Sequence, residues 1–333
     1  MRLYGKEGLQ KRLTDIAVKD RLPHAILLHG NSGAGKKVMA RYIAKLFLCE
    51  SLTSDRVCYE DETRLAGEYR PCESCPACRS INADEHPDVI FVKRLCGGKY
   101  SMDEFRAVLS GTVIKPNNGG VKVYVFEDCG DMRVQHQNAL LKLIEEPADY
   151  LRFIFTCENS NSILETILSR VTEFEVSPMS VAECAECLID SGVEPKRAGE
   201  LSETFSGNAG KCLAVVEGGE ETKLIETARK IAAAVGARDK LLTAAALSEQ
   251  TGRADFAGTL DYFTDILRDA LALRCGGEAT SCGKKEAAEI AGNFSEARIL
   301  NMLDSVFEVA QNGEINLNLA LSAAYLSYRL YRN

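Results

Sequence analysis

Gly30-Asn31-Ser32-Gly33-Ala34-Gly35-Lys36-Lys37 places glycines and a lysine at G-x-x-x-x-G-K spacing. Glycines allow successive backbone N–H groups to turn toward one point and the lysine adds an ammonium, so the pattern suits the cradling of phosphate oxygens at a helix N-terminus. The residue after the lysine should be Ser or Thr, whose hydroxyl holds Mg²⁺. Here it is Lys37, a cation that cannot ligate a metal and would sit against one. The spacing therefore supports phosphate binding at Gly30, Gly33, Gly35 and Lys36 and argues against Mg²⁺–ATP hydrolysis; a retained loop that stays empty in the working protein fits the residues equally well. A second cluster, Cys72-Glu73-Ser74-Cys75-Pro76-Ala77-Cys78, sets three thiols at C-x₂-C-x₂-C spacing in a turn stiffened by Pro71 and Pro76. Three thiolates so close suit one tetrahedral Zn²⁺, with the fourth ligand supplied from elsewhere. Cys49 leads as that ligand, ahead of Cys58. Zinc would pin the polar segment 50–71, which has too few apolar residues to fold unaided.

These groups must be positioned by a chain of 333 residues, enough for two or three domains. Its composition, 46% hydrophobic and 26% charged, is that of a globular protein. No apolar run reaches the roughly 18–20 residues that span a bilayer, and Met1–Glu7 lacks the apolar core of a secretory signal, so the expectation is a cytoplasmic protein without membrane contact. In that setting 13 cysteines read as metal ligands plus buried thiols rather than disulfides. Cys184-x₂-Cys187 lies in a helical pattern with no partner in the nearby sequence and is expected to pack on a helix face. The net charge of −8 gives no overall attraction to phosphate backbones, so protein partners are the first expectation.

Alternating apolar runs and helical stretches predict an α/β domain with a five-stranded parallel sheet. The strands are expected at Ala25–His29, Asp88–Val92, Lys122–Phe126, Arg152–Thr156 and Thr172–Val176. Helices are expected at Lys36–Cys49, Met102–Val108, Gln135–Glu146 and Asn161–Ser169. After Ser177-Pro178-Met179 strand-like runs give way to helical periodicity. The expected organisation is residues 1–177 as the phosphate-loop domain, 178–218 as a small helical domain, and 219–333 as an all-helical domain, with a hinge at Gly218-Gly219-Glu220-Glu221.

Glu127-Asp128 follows the third expected strand. Hydrolysing P-loop ATPases of the AAA+ kind carry Asp then Glu there, the first for Mg²⁺ and the second to activate water. The inverted order moves both charges by more than about 1 Å, a shift that can cost on the order of 10²-fold in rate. The alternative is that both are solvated acids at a strand end.

Arg21-Leu22-Pro23-His24-Ala25, the phosphate loop, the cysteine cluster, His86-Pro87-Asp88, Asn138-Ala139-Leu140-Leu141-Lys142-Leu143-Ile144-Glu145-Glu146-Pro147 and Leu168-Ser169-Arg170 occur in an order that resembles the bacterial clamp-loader ATPase family. That family includes the delta-prime and gamma/tau subunits of DNA polymerase III, and Lys37 with the Glu127-Asp128 order favours the delta-prime branch. The likeness covers about residues 5–180 closely and the helical remainder by size and order. It implies an α/β P-loop AAA+ module with an inserted zinc knuckle, a helical lid, and a C-terminal collar-type domain for oligomerisation. It also implies that Arg170, in Ser169-Arg170-Val171 where the family has Ser-Arg-Cys, reaches into a neighbour's ATP site. There an arginine supplied in trans is worth about 10³–10⁵ in rate in other P-loop systems; otherwise Arg170 is a helix-terminal cation paired with an acid such as Glu173.

Thr156 resembles the sensor that reads the γ-phosphate, although threonine at a strand end is also a common β-former. Gly210 falls where active relatives carry a second sensor arginine, with Lys211 one residue away. His24 and His86 match family positions and read as structural. The implied function is a non-hydrolysing clamp-loader subunit that works with gamma/tau- and delta-type subunits to load a sliding clamp on primed DNA. Alternatives are a gamma-like subunit with its own ATPase and a non-replicative AAA+ scaffold.

Overall fold

In a computed structural model of the chain the residues described are 3–52, 70–93, 100, 102–117, 120–218, 220–249, 252–279, 281–312 and 318–332. They divide into two compact units, Met1–Met179 and Ser180–Asn333. Cys58 and most of the segment preceding the cysteine cluster lie outside the described residues.

The first unit holds a parallel sheet of β1 (Ala25–His29), β2 (Val89–Val92), β3 (Lys122–Phe126), β4 (Leu151–Cys157) and β5 (Thr172–Glu175), in the order β2-β3-β4-β1-β5. Strand alternation divides its core in two. Val123, Val125 and Ile154 face one layer, built with α1 (Glu7–Val18), α2 (Lys36–Leu48) and α3 (Pro76–Asn82). Tyr124, Phe126, Phe153 and Phe155 face the other, where adjacent rings stack at centroid separations of 5.3–6.4 Å. That layer is closed by α4 (Met102–Gly111), α5 (Val134–Glu145) and α6 (Glu165–Leu168). β1 lies between β4 and β5. Its carboxyl end is thus a point where the chain leaves for opposite sides of the sheet, the place where open α/β folds bind ligands.

The continuous helix expected over Asn161–Ser169 is broken into a 3₁₀ turn at Ser160–Ser162 and the short α6. Gln137 of α5 is the cause: its Nε2 donates to Ser162 O at 3.2 Å and its Oε1 accepts Leu164 N–H at 2.8 Å, taking backbone groups a continuous helix would use. Elsewhere in this unit the expected elements differ from those found by a few residues at their ends.

The second unit is helical in its described residues. α7 (Val181–Asp190) starts with a capping box in which Ser180 and Glu183 satisfy each other's backbone N–H. α8 (Pro195–Thr204) and α9 (Ala209–Val216) follow, then α10 (Glu220–Gly236), α11 (Lys240–Ser248), α12 (Arg253–Arg274), α13 (Lys284–Asn293), α14 (Glu296–Asn312) and α15 (Leu319–Tyr331). Glu220 and Glu221, expected in a hinge, already belong to α10; Gly218 before them has φ +69°. Phe263, Ile266, Leu267 and Ala270 of α12 form the middle of this unit's core. No helix among the described residues is long and apolar enough to cross a membrane.

Candidate functional site

The glycine loop joins β1 to α2 and takes its shape from backbone that only glycine adopts freely. Gly33 and Gly35 have φ +74° and +94°, and a Cβ on Gly30 would run into the carbonyl oxygen of Val176. Gly35 caps α2, so the first N–H groups of that helix open toward the loop. Lys36 is buried, and its ammonium donates to the carbonyls of Gly30 at 2.6 Å and Asn31 at 2.9 Å. Burial lowers its pKa, while Glu158 and Asp128 pull the other way.

Lys37 and Glu127 meet here. Lys37 Nζ lies 2.8 Å from Glu127 Oε2, the Glu127 side chain being 5% exposed and that of Lys37 52%. Glu127 is therefore not a solvated strand-end acid, and Asp128 is half-buried. The lysine that stands at the Ser/Thr position of the loop pattern thus pairs with the first of the two acids that follow β3. Asp128 is left-handed at φ +53°, a conformation aspartate tolerates, and its N–H donates to Thr156 Oγ1 at 2.9 Å. Thr156, fully buried and one residue before the end of β4, is thus tied to the acidic pair.

The cysteines also assemble. The sulfurs of Cys49, Cys72, Cys75 and Cys78 all lie within 4.8 Å of one another, with Cys49 and Cys72 at 3.6 Å. A tetrahedral ion about 2.3 Å from each sulfur needs sulfurs roughly 3.8 Å apart, so the set fits such an ion. N–H groups of Cys72, Cys75 and Cys78 donate to the sulfurs of Cys49, Cys72 and Cys75 at 3.3–3.4 Å, which favours thiolates. The Cys49 thiol falls to about 4, chiefly through a hydrogen bond from Cys78, and that bond raises Cys78.

The cluster is clamped to α2 by two ion pairs. Lys45, only 2% exposed, donates to both oxygens of Glu73 at 2.8 and 2.7 Å, and Arg41 makes a two-pronged contact with Asp84 at 2.8 and 2.9 Å. Cys49 caps the same helix. One helix therefore begins at the phosphate loop and ends at the thiols.

Arg170 follows α6 and is 38% exposed. Its Nη1 donates to Thr166 O at 2.7 Å and Ser169 Oγ at 3.0 Å, and its Nη2 lies 2.7 Å from Glu145 Oε1. The acid it pairs with is Glu145, at the end of α5, rather than Glu173.

The sequence profile of the family described as "DNA polymerase III, delta subunit" matches residues 5–180, more than half of the chain. The chain belongs to this family of AAA+ clamp-loader proteins. DNA polymerase III subunit delta' of Bacillus subtilis is 30% identical over 192 residues, 57% of this chain and 53% of the relative. Subunit gamma/tau of Mycoplasma genitalium is 30% identical over 170 residues, 51% of this chain and 26% of the relative. The chain thus spans about half the length of the delta' relative and about a quarter of the gamma/tau one. A gamma-subunit-related protein from Thermotoga maritima superposes over 97% of this chain and 99% of its own with TM-score 0.43 and 18% identity.

In this family member the remaining candidates are placed as follows. His24 Nε2 pairs with Ile144 O at 3.0 Å, joining the start of β1 to α5, and His86 Nδ1 accepts Asp88 N–H at 3.1 Å. Gly210 offers no side chain. Lys211 Nζ lies 4.7 Å over the Tyr262 ring and 3.7 Å from Asp265 within the second unit. Cys184 does have a sulfur neighbour: Cys212 of α9, at 3.9 Å and 28 residues away. Sequence reasoning missed Glu145, Cys212 and the Lys45–Glu73 pair. The one available signal was Lys45, a lysine on the apolar face of α2 five residues before Glu50, where only a buried partner would stabilise it.

Proposed function

We propose that this chain is a non-hydrolysing subunit of a DNA polymerase III clamp loader. It would assemble with gamma/tau- and delta-type subunits in the cytoplasm and donate Arg170 to a neighbour's ATP site while the complex places a sliding clamp on primed DNA. In this reading residues 178–218 form a lid, 219–333 an oligomerisation domain, and DNA contact is made by the assembled ring. The observation that carries it is the Lys37–Glu127 ion pair. A buried carboxylate needs a cation, and here the protein supplies its own in place of Mg²⁺. Gly30, Gly33, Gly35 and Lys36 keep a phosphate cradle; Asp128 and Thr156 stand where water activation and γ-phosphate sensing would occur. Without metal to bridge the β- and γ-phosphates, the cradle does not support in-line displacement. Hydrolysis belongs to the neighbour, where Arg170 would face charge developing on the γ-phosphate.

Cys49, Cys72, Cys75 and Cys78 would hold zinc. Four thiolates leave no open position, so the ion would act as a structural cross-link fastening the inserted segment to α2.

Lys37→Thr tests the ion-pair argument. Removing the ammonium leaves Glu127 without its cation and restores a hydroxyl, so Mg²⁺ should tighten ATP binding to the variant by about tenfold or more, a contribution on the order of 1.4 kcal/mol. ATP binding to the parent chain, read by calorimetry, should show no such Mg²⁺ dependence. Equal Mg²⁺ dependence in both would remove the ion pair as the reason for silence and favour a gamma-like ATPase.

A further inference from the structure

Arg170 is held more firmly than an exposed arginine needs to be. Its guanidinium has five N–H donors, and three contacts are made: two from Nη1 to Thr166 O and Ser169 Oγ, one from Nη2 to Glu145. Among the described residues this leaves Nε–H and one Nη2–H, two donors, the number a bidentate phosphate contact uses. Its backbone is fixed as well, since Arg170 N–H donates to Ile167 O at 2.9 Å.

Helix electrostatics alone do not favour an acid at the position of Glu145. It is the last residue of α5, where the carbonyl end of the helix disfavours a carboxylate, and Pro147 follows to end the helix. An ion pair with partners 38% and 45% exposed adds little stability, so stability does not explain an acid at that end. A carboxylate that fixes the direction of a guanidinium does.

We propose that Glu145 is a positioning residue for Arg170, steering the guanidinium so that its two remaining donors can take a phosphate oxygen pair presented by a neighbouring subunit. This rests on Arg170 acting in trans. α6, at four residues, is too short to hold the side chain by packing alone; Glu145 ties it to the twelve-residue α5, whose His136, Leu140 and Ile144 are buried. Because misplacing a reacting or stabilising group by about 1 Å can cost 10²-fold, loss of this tie should show in rate rather than in affinity.

The test uses the reconstituted complex and single-turnover release of γ-phosphate, comparing Glu145→Ala, Glu145→Gln, Arg170→Ala and the double variant. Glu145→Ala should slow the step about tenfold with ATP affinity and melting temperature unchanged, whereas Glu145→Gln, whose amide oxygen still accepts, should stay within about threefold of the parent. The double variant should be no slower than Arg170→Ala. A parent-like rate in Glu145→Ala, or a further loss on top of Arg170→Ala, overturns the positioning role while leaving Arg170 in place. A parent-like rate in Arg170→Ala overturns the reading of Arg170 itself.

Discussion

Arg170→Ala in the assembled complex is expected to slow hydrolysis at the adjoining ATP site by about 10³-fold or more, the range an arginine supplied in trans contributes in other P-loop systems. The loss should fall on kcat, because in the proposed role the guanidinium would meet charge that develops only as the γ-phosphoryl group transfers. ATP affinity should change little. The chain itself should fold as before, since the Arg170–Glu145 pair is exposed on both sides and such pairs contribute about 0–1 kcal/mol. Single-turnover release of phosphate, read beside a urea unfolding curve of the isolated variant, separates the two effects. Arg170→Lys should recover only part of the rate, because an ammonium keeps the charge and loses the planar fork.

Removal of metal is expected to have the largest effect on stability. The isolated chain should contain one zinc ion, and Cys49→Ser, Cys72→Ser, Cys75→Ser and Cys78→Ser should each lose it, whereas Cys58→Ser and Cys187→Ser should retain it. Structural zinc in small peptides contributes on the order of 10–16 kcal/mol of apparent binding free energy at neutral pH. Even a fraction of that is a large part of a domain's stability of about 5–15 kcal/mol. Chelation should therefore lower the unfolding midpoint of the first unit sharply. The effect should extend to α2, because Cys49 caps that helix and Lys45 and Arg41 bind it to Glu73 and Asp84. Cobalt substitution offers a direct readout, its thiolate absorption disappearing with each ligand removed. Zinc retained in Cys49→Ser and lost in Cys58→Ser would transfer the fourth ligand to the other cysteine.

What could be read from the sequence was what local spacing determines. The glycines of the phosphate loop and the three thiols of Cys72–Cys78 act through backbone geometry over a few residues, so their pattern carries their arrangement. The strands were legible because burial on both faces leaves uninterrupted apolar runs such as Val123–Phe126. Contacts set by strand order were not. Lys37 and Glu127 are far apart in sequence and meet only because of the way β1 and β3 are arranged around β4 in the sheet. Weighing Glu127 as a solvated acid failed for the same reason, since its burial is a property of the sheet and not of the dipeptide. Arg170 was legible, yet the nearer Glu173 was the natural guess for its partner. Glu173 lies on β5, paired with Leu27, while Glu145 comes to Arg170 from the end of α5. The broken helix at Ser160–Leu168 was hidden because its cause is the side chain of Gln137 on another element.

In the proposed reading the chain is a module that keeps its glycine loop, sets Lys37 against Glu127 where a metal would otherwise be held, and lends Arg170 to a neighbour. Steady-state ATP turnover by the isolated chain tests this most directly, with Lys36→Ala as the control for the loop. The expected result is a rate indistinguishable from that of Lys36→Ala, alongside Arg170-dependent hydrolysis once neighbouring subunits are added. Sustained turnover by the isolated chain that Lys36→Ala abolishes would contradict it.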